Sequence, residues 1–260
     1  MSDPPPDLGR ERIAAHLATR WVGRSLRVLG HVRSTQDEAR ADAATGAPDG
    51  HLVVADAQEA GRGSHGRSWS SPPGTDLYLS LLVRRIVAGA DPAPLTLAVG
   101  CAVADTVESL GAGWRVDIKW PNDVLLEGRK CAGILVESDG MAPPRFIVGI
   151  GLNVNRSRFD PPLDTTATSL AQRAGRPFDR AAVLAELARC LEAWIERFVE
   201  LGVEPVAAEV DRRLARRGAT ASLDGRRGRV LGVGPDGSLQ VELDGVCRSV
   251  RTASIEWLEE

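Results

Sequence analysis

DIKWPNDVLLEGRKCAGILVE, residues 117–137, carries two apolar runs joined by a polar Glu127-Gly128 step, the pattern of a buried strand, a tight turn and a second strand. The strand pattern begins at residue 115. Pro121 and Asn122 interrupt the first strand and leave Lys119, Asn122 and Asp123 near one end, beside a buried Trp120. Lys130 follows the turn on the opposite strand. A lone strand lysine is ordinarily a solvated side chain. Here the chain has 32 basic residues, and Lys119 and Lys130 are its only two lysines. The asparagines are as sparse, at Asn122, Asn153 and Asn155. A GC-rich genome accounts for the scarcity but not for the positions. Chemistry that arginine cannot perform accounts for both.

Outward from this hairpin the elements alternate. Towards the N-terminus, residues 8–21 read as a short amphipathic helix and 26–32 as a strand. Ser34 stands as an N-cap, with Asp37 three residues on, for a helix over 35–45. HLVVADA (51–57) and LYLSLLV (77–83) read as apolar strands around a polar, Gly/Pro-rich loop at 58–75. Asp91 and nearby prolines start a helix running to about Leu110. Beyond the hairpin, FIVGIGLNVN (146–155) is a further strand, and helices cover 179–200 and 204–216. From 218 onward short alternating strands are split by DGRRG, GPDG and LDG turns, the pattern of a small β-barrel. The expected fold class is α+β: a mixed sheet with helices packed on it over 1–217, and a C-terminal SH3-like barrel over 218–260.

Composition narrows the function classes. With 43% hydrophobic and 26% charged residues, the 260-residue chain is an ordinary globular protein able to bury a core. A net charge of −3 and a pI near 5.9 give no general attraction to nucleic acid or anionic lipid. No apolar run approaches the ~20 residues that span a bilayer, and MSDPPPDLGRER lacks a signal-peptide core, so a cytoplasmic location is expected. Cys101, Cys131, Cys190 and Cys247 form no C-x-x-C pair, and His16, His31, His51 and His65 are dispersed. Reduced, bland cysteines and no metal site are expected, and no Cys–His pair stands out as catalytic.

Two other segments carry chemistry. AGRGSHGRSW (60–69) places Gly61, Gly63 and Gly66 at dinucleotide-fingerprint spacing, but Ser-Trp-Ser-Ser-Pro-Pro-Gly follows where that fingerprint needs a helix. What remains is a glycine-rich loop with Arg62 and Arg67, suited to an anionic ligand or simply a surface loop in an Arg-rich protein. In GIGLNVN (149–155) the glycines allow close approach of a flat ligand, and Asn153 can read a base edge or cap a bulged strand end.

In this order the segments resemble the biotin–protein ligase family. The matching residues are Ser34-Thr35, Gln58 ahead of GRGSHG, Trp69, KWPND at 119–123, GRKCAGILVE at 128–137 and GIGLNVN, over residues 30 to 170. The resemblance implies that biotin's carboxylate attacks the α-phosphate of ATP, with Mg²⁺ on the phosphates, to give biotinyl-5'-AMP. A lysine of a biotin carboxyl carrier domain then takes the biotin. It further implies Lys130, Arg62 and Arg67 as cations, Lys130 at the carboxylate and α-phosphate, and Asp123 as the group that accepts the acceptor lysine's proton. Ser34, Thr35 and Gln58 would meet the ureido ring, with Gly61 and Gly133 also at biotin. Trp69 and Trp120 would wall the pocket, and Asn122 and Asn153 would contact the nucleotide. The loop at 61–70 would close over the adenylate. The expected partner is a carboxylase carrier domain, with no nucleic acid or membrane, and the expected state a monomer or weak homodimer.

Two rivals are weighed. A lipoate–protein ligase shares the fold and the acyl-adenylate logic, but the pairing of KWPND with GRGSHG argues against it. A nucleic-acid binder would use the Arg-rich loop with Arg226, Arg227 and Arg229, against a negative net charge. The chain departs from the family in two places. About 30 residues ahead of the match leave no room for a DNA-binding domain, so no repressor function is expected. Ser64 stands where the family often has a basic residue. Loss of a charged hydrogen bond, about 1.5–3 kcal/mol, predicts a loosely held adenylate unless His65 or Arg67 compensates. Ser64→Arg should therefore slow biotinyl-5'-AMP dissociation; equal rates in the two proteins would contradict this.

Overall fold

The structure, a computed structural model, describes residues 5–85, 91–141, 144–252 and 255–258. A turn of 3-10 helix at Pro6–Leu8 leads into α1 (Arg10–His16), β1 (Leu26–Val32), α2 (Thr35–Ala44), β2 (Leu52–Gln58) and β3 (Leu77–Val83). Next come α3 (Ala93–Leu110), β4 (Val116–Lys119), β5 (Asp123–Leu126), β6 (Arg129–Ser138) and β7 (Phe146–Leu152). α4 (Leu163–Thr166), α5 (Leu170–Ala174), α6 (Arg180–Leu201) and α7 (Glu204–Arg212) follow. The last strands are β8 (Thr220–Leu223), β9 (Arg226–Val233), β10 (Leu239–Leu243), β11 (Val246–Val250) and β12 (Ile255–Trp257).

The first seven strands form one mixed sheet in the order β1-β2-β3-β7-β6-β5-β4. β1 and β2 are parallel and the remaining neighbours antiparallel. Alternation sorts the strand residues between two faces. Leu77, Leu79, Leu81, Val148 and Ile150 join α3 and α6 in the main core. Val53, Ala55, Leu82 and Ile147 pack instead against Ala39 and Ala43 of α2. α3 has the length and apolar composition of a membrane-crossing helix. It is a core helix here, packed on α6, α7 and β4–β6.

The KWPND region corrects the single-hairpin reading. Lys119 pairs with Asp123 across an antiparallel ladder, so Trp120-Pro121-Asn122 is itself a chain reversal, with the Trp120–Pro121 peptide cis. Proline has no N–H to continue a ladder, and here the strand turns back instead of running on. Glu127-Gly128 makes the second reversal as expected, both residues with positive φ. Trp120 does not face the pocket. It is buried, and its Nε1 donates to Gly237 O at 3.0 Å, tying this turn to the loop between β9 and β10.

Other boundaries shift for local reasons. The helix expected over 8–21 is reduced to α1, because the Glu192 carboxylate on α6 accepts from the backbone N–H of Arg20, Trp21 and Val22 at 2.9, 2.8 and 3.2 Å. Those donors are then unavailable to a continuing helix. The strand at 146 ends at Leu152, and the last helix stops at Arg212 rather than 216. The C-terminal strands form a separate antiparallel sheet in the order β11-β10-β9-β8-β12. Among the described residues β11 and β12 do not pair, so the expected barrel is an open sheet.

A buried polar knot fixes the end of β7. Asp76, fully buried, accepts from Arg156 Nε at 2.8 Å, Val154 N at 2.9 Å and Tyr78 Oη at 3.1 Å. Burial, then the neighbouring Asp76 charge, raises the Tyr78 phenol above its ordinary pKa, which keeps it a donor. Asp76→Ala would leave Arg156 buried and uncompensated. Chemical denaturation should show a loss of about 3–5 kcal/mol; an unchanged midpoint would contradict the role given to this knot.

Candidate active site

α2 covers only part of its face of the sheet, and the uncovered part floors a cavity of about 620 Å³. That is the size of a small-molecule site. Three glycines lower the floor. A Cβ on Gly133 would lie 2.7 Å from the Trp69 ring, one on Gly151 would enter the indole, and one on Gly149 would press on Gln36 at 3.0 Å. The Trp69 ring therefore lies directly against the backbone of β6 and β7, and its Nε1 is buried without a hydrogen-bond partner.

A β-bulge aims the reactive side chains. Val124 pairs with Ala132 and Leu125 with Lys130, so Cys131 is an extra residue on β6. The shift lets Lys130 and Gly133, three positions apart, border the same cavity. Lys130 Nζ lies 2.6 Å from Asp123 Oδ1 and 5.1 Å from the Trp69 ring centroid. Lys119 also borders the cavity. Its pKa is lowered by burial and by the Lys130 and Arg67 charges, against the pull of Asp123. The Cys131 thiol beneath is pushed up to about 12 by burial and is inert.

The glycine-rich loop is a small hairpin. Arg62 bridges to Ser68, and Trp69 N donates to Gly61 O at 2.8 Å. Gly61 lies behind the lining, where a Cβ would meet Trp69 O at 2.5 Å and Ser71 Oγ at 2.8 Å. Its part is to let the loop root pack closely. Arg62 borders the cavity with its guanidinium paired to Asp37 Oδ1 at 2.7 Å and Glu137 Oε2 at 3.5 Å. Arg67 donates through Nη2 to Ser64 Oγ at 3.2 Å and through Nε to Ser64 O at 3.3 Å. The small side chain at 64 thus holds the neighbouring arginine.

Ser34, Thr35, Gln58, Asn122 and Asn153 all border the cavity. Gln58 is oriented by protein contacts: Oε1 accepts from Thr35 N and Oγ1 at 2.9 and 3.1 Å, and Nε2 donates to Ser71 Oγ at 2.9 Å. Ser34 occupies the N-cap position of α2, but its hydroxyl makes no capping bond and is buried without a partner. That corrects its reading as a cap. The amides of Asn122 and Asn153 donate to Ile134 O and Thr168 O, each at 2.9 Å, and so shape the wall. Sequence reasoning missed Gln36, Arg216 and Trp257, which also line the cavity. Adjacency to Ser34-Thr35 was a signal for Gln36. Trp257 arrives from the far end of the chain with no local signal.

The model for the biotin/lipoate A/B protein ligase family matches residues 29–155. The bifunctional ligase/repressor BirA of Bacillus subtilis is 35% identical, over 97% of this chain and 80% of that protein. The biotin–[acetyl-CoA-carboxylase] ligase of Mycobacterium tuberculosis is 40% identical, over 66% of this chain and 64% of that one. A biotin protein ligase from Aquifex aeolicus, solved in complex with biotin and ATP, superposes with a TM-score of 0.81 at 26% identity, over 90% of this chain and all of that one. This chain belongs to the biotin/lipoate A/B protein ligase family.

Proposed function

We propose that this protein is an ATP-dependent biotin–protein ligase, which activates biotin as biotinyl-5'-AMP and transfers biotin to a lysine of a biotin carboxyl carrier domain. One observation carries the reading: Lys130 paired with Asp123 beside Trp69, above a floor kept clear by glycines.

In the first step a biotin carboxylate oxygen bonds to the α-phosphorus, the bond to the β-phosphate oxygen breaks, and pyrophosphate leaves. Two anions must meet, so fixed positive charge is the main requirement. Lys130, Arg67 and Arg62 line the cavity. Asp37 and Glu137 hold Arg62 in place, so it contributes a positioned charge rather than a mobile one. Thr35, oriented by Gln58, and Ser34 meet the ureido ring, with Gly61 and Gly133 permitting close packing. Trp69 walls biotin and nucleotide, and Asn122 and Asn153 support the nucleotide side. Asp123 is the one carboxylate lining the cavity among the described residues. Mg²⁺, which neutralises phosphate charge, would be held chiefly by the phosphates themselves.

In the second step the acceptor amine bonds to the acyl carbon, the acyl–phosphate oxygen bond breaks, and AMP leaves. Asp123 takes the amine's proton. Its ion pair with Lys130 couples the two steps: once Lys130 turns to the phosphate, the carboxylate is released to act as a base. The enzyme acts in the cytoplasm as a monomer or weak homodimer on a carboxylase carrier domain.

The test is transfer of labelled biotin to a carrier domain with ATP and Mg²⁺. Wild type transfers and Lys130→Ala loses transfer; a wild type that labels no biotin carrier overturns the reading. Asp123→Asn separates the steps: attack on preformed biotinyl-5'-AMP should fall roughly 10²–10⁴-fold, with adenylate formation much less affected. Equal loss in both steps removes Asp123 as the base.

A further inference from the structure

We infer that Arg216, at the junction with the C-terminal sheet, binds the β- and γ-phosphates of ATP and the pyrophosphate they become. This deepens the proposed function and rests on it. Among the described residues, six cationic side chains border the cavity. Arg62, Lys130 and Arg156 are each ion-paired, to Asp37, Asp123 and Asp76. Arg67, Lys119 and Arg216 have no carboxylate within ion-pair distance among the described residues. These three come from the glycine-rich loop, from β4 and from the connection ahead of β8, and they converge. Residues 213–215 run along the edge of β4: Ile118 N donates to Arg213 O at 2.8 Å and Ala215 N to Ile118 O at 2.9 Å. That pairing delivers Arg216 to the Lys119 end of the strand. The Lys119 ammonium is already disfavoured by burial, and by the charges of Lys130 and Arg67 against the pull of Asp123.

Arg216 is held in place by what surrounds it. Its φ is +50°, in the left-handed region that a long side chain rarely adopts. On one side the chain is pinned to β4. On the other, Arg217 Nη1 donates to Leu231 O at 2.9 Å and its Nη2 lies 2.7 Å from Asp211 Oδ1. The Arg216 guanidinium stands 5.7 Å from the Trp257 ring centroid, and Trp257 of β12 borders the same cavity. An indole face orients the planar fork and leaves its N–H groups free for phosphate oxygens. The chemistry selects the anion. Lys130 and the positioned Arg62 serve the carboxylate and the α-phosphate. The leaving pyrophosphate is the most highly charged species in the reaction, and cations already in place ease its departure.

The experiment compares wild type, Arg216→Met and Arg216→Lys in adenylate formation from biotin and ATP with Mg²⁺, in its inhibition by pyrophosphate, in AMP binding, and in transfer to a carrier domain from preformed biotinyl-5'-AMP. Arg216→Met should raise the KM for ATP and the pyrophosphate inhibition constant by at least about tenfold, the loss of one charged contact. Arg216→Lys should recover part of both. AMP binding and transfer from the adenylate involve no β- or γ-phosphate and should match wild type. Equal weakening of pyrophosphate and AMP, or unchanged pyrophosphate inhibition, overturns the inference and leaves the proposed function standing. Unchanged pyrophosphate inhibition with a raised KM for the carrier would assign Arg216 to acidic side chains of the acceptor instead. A wild type that forms no adenylate from biotin and ATP overturns both.

Discussion

The absence of side chains at Gly133, Gly149 and Gly151 is the constraint on which the site depends. These glycines lie on the α2 side of β6 and β7, Gly133 and Gly151 beneath Trp69 and Gly149 beneath Gln36 of α2. Trp69 and Gln36 occupy the space that a Cβ would fill. The indole can rest on the sheet only because the backbone is bare, and with its ring in place Lys130 gains a face for its ammonium. The bulge at Cys131 complements this by turning Lys130 and Gly133 to the same side. A bare floor, one aromatic wall and one movable cation follow from a few backbone positions.

The charges around this floor are paired before any ligand arrives. Arg62 is shared between Asp37 and Glu137, Arg67 leans on Ser64, and Lys130 holds Asp123. A site that must bring two anions together gains from donors already oriented, since little reorganisation then remains. Lys119 differs. It is drawn down by burial and by its cationic neighbours, and among the described residues no carboxylate lies within ion-pair distance of it.

Much of this was legible in the chain. LYLSLLV reads as a strand covered on both faces, and β3 is an interior strand, buried throughout, between β2 and β7. KWPND, GRKCAGILVE and the glycine-rich loop converge on one cavity as their residue types suggest. What was not legible depended on distant partners. The shortening of α1 is decided by Glu192 on another helix. Trp120 looked like a pocket wall because it sits between functional residues, but Gly237 of the C-terminal sheet claims its indole N–H. Gln58 borders the cavity, and folding decides that its Oε1 accepts from Thr35 while one of its two Nε2 N–H groups goes to Ser71. Which hydrogen-bond capacity is left over after folding is a property of the assembled structure, and a motif does not record it.

In the proposed reaction this cavity joins biotin to AMP before any acceptor is involved. Isotope exchange between pyrophosphate and ATP measures that step alone, with no carrier domain present. Exchange should require biotin and be absent when lipoate replaces it. Exchange supported by lipoate and not by biotin, or none with either, would contradict it.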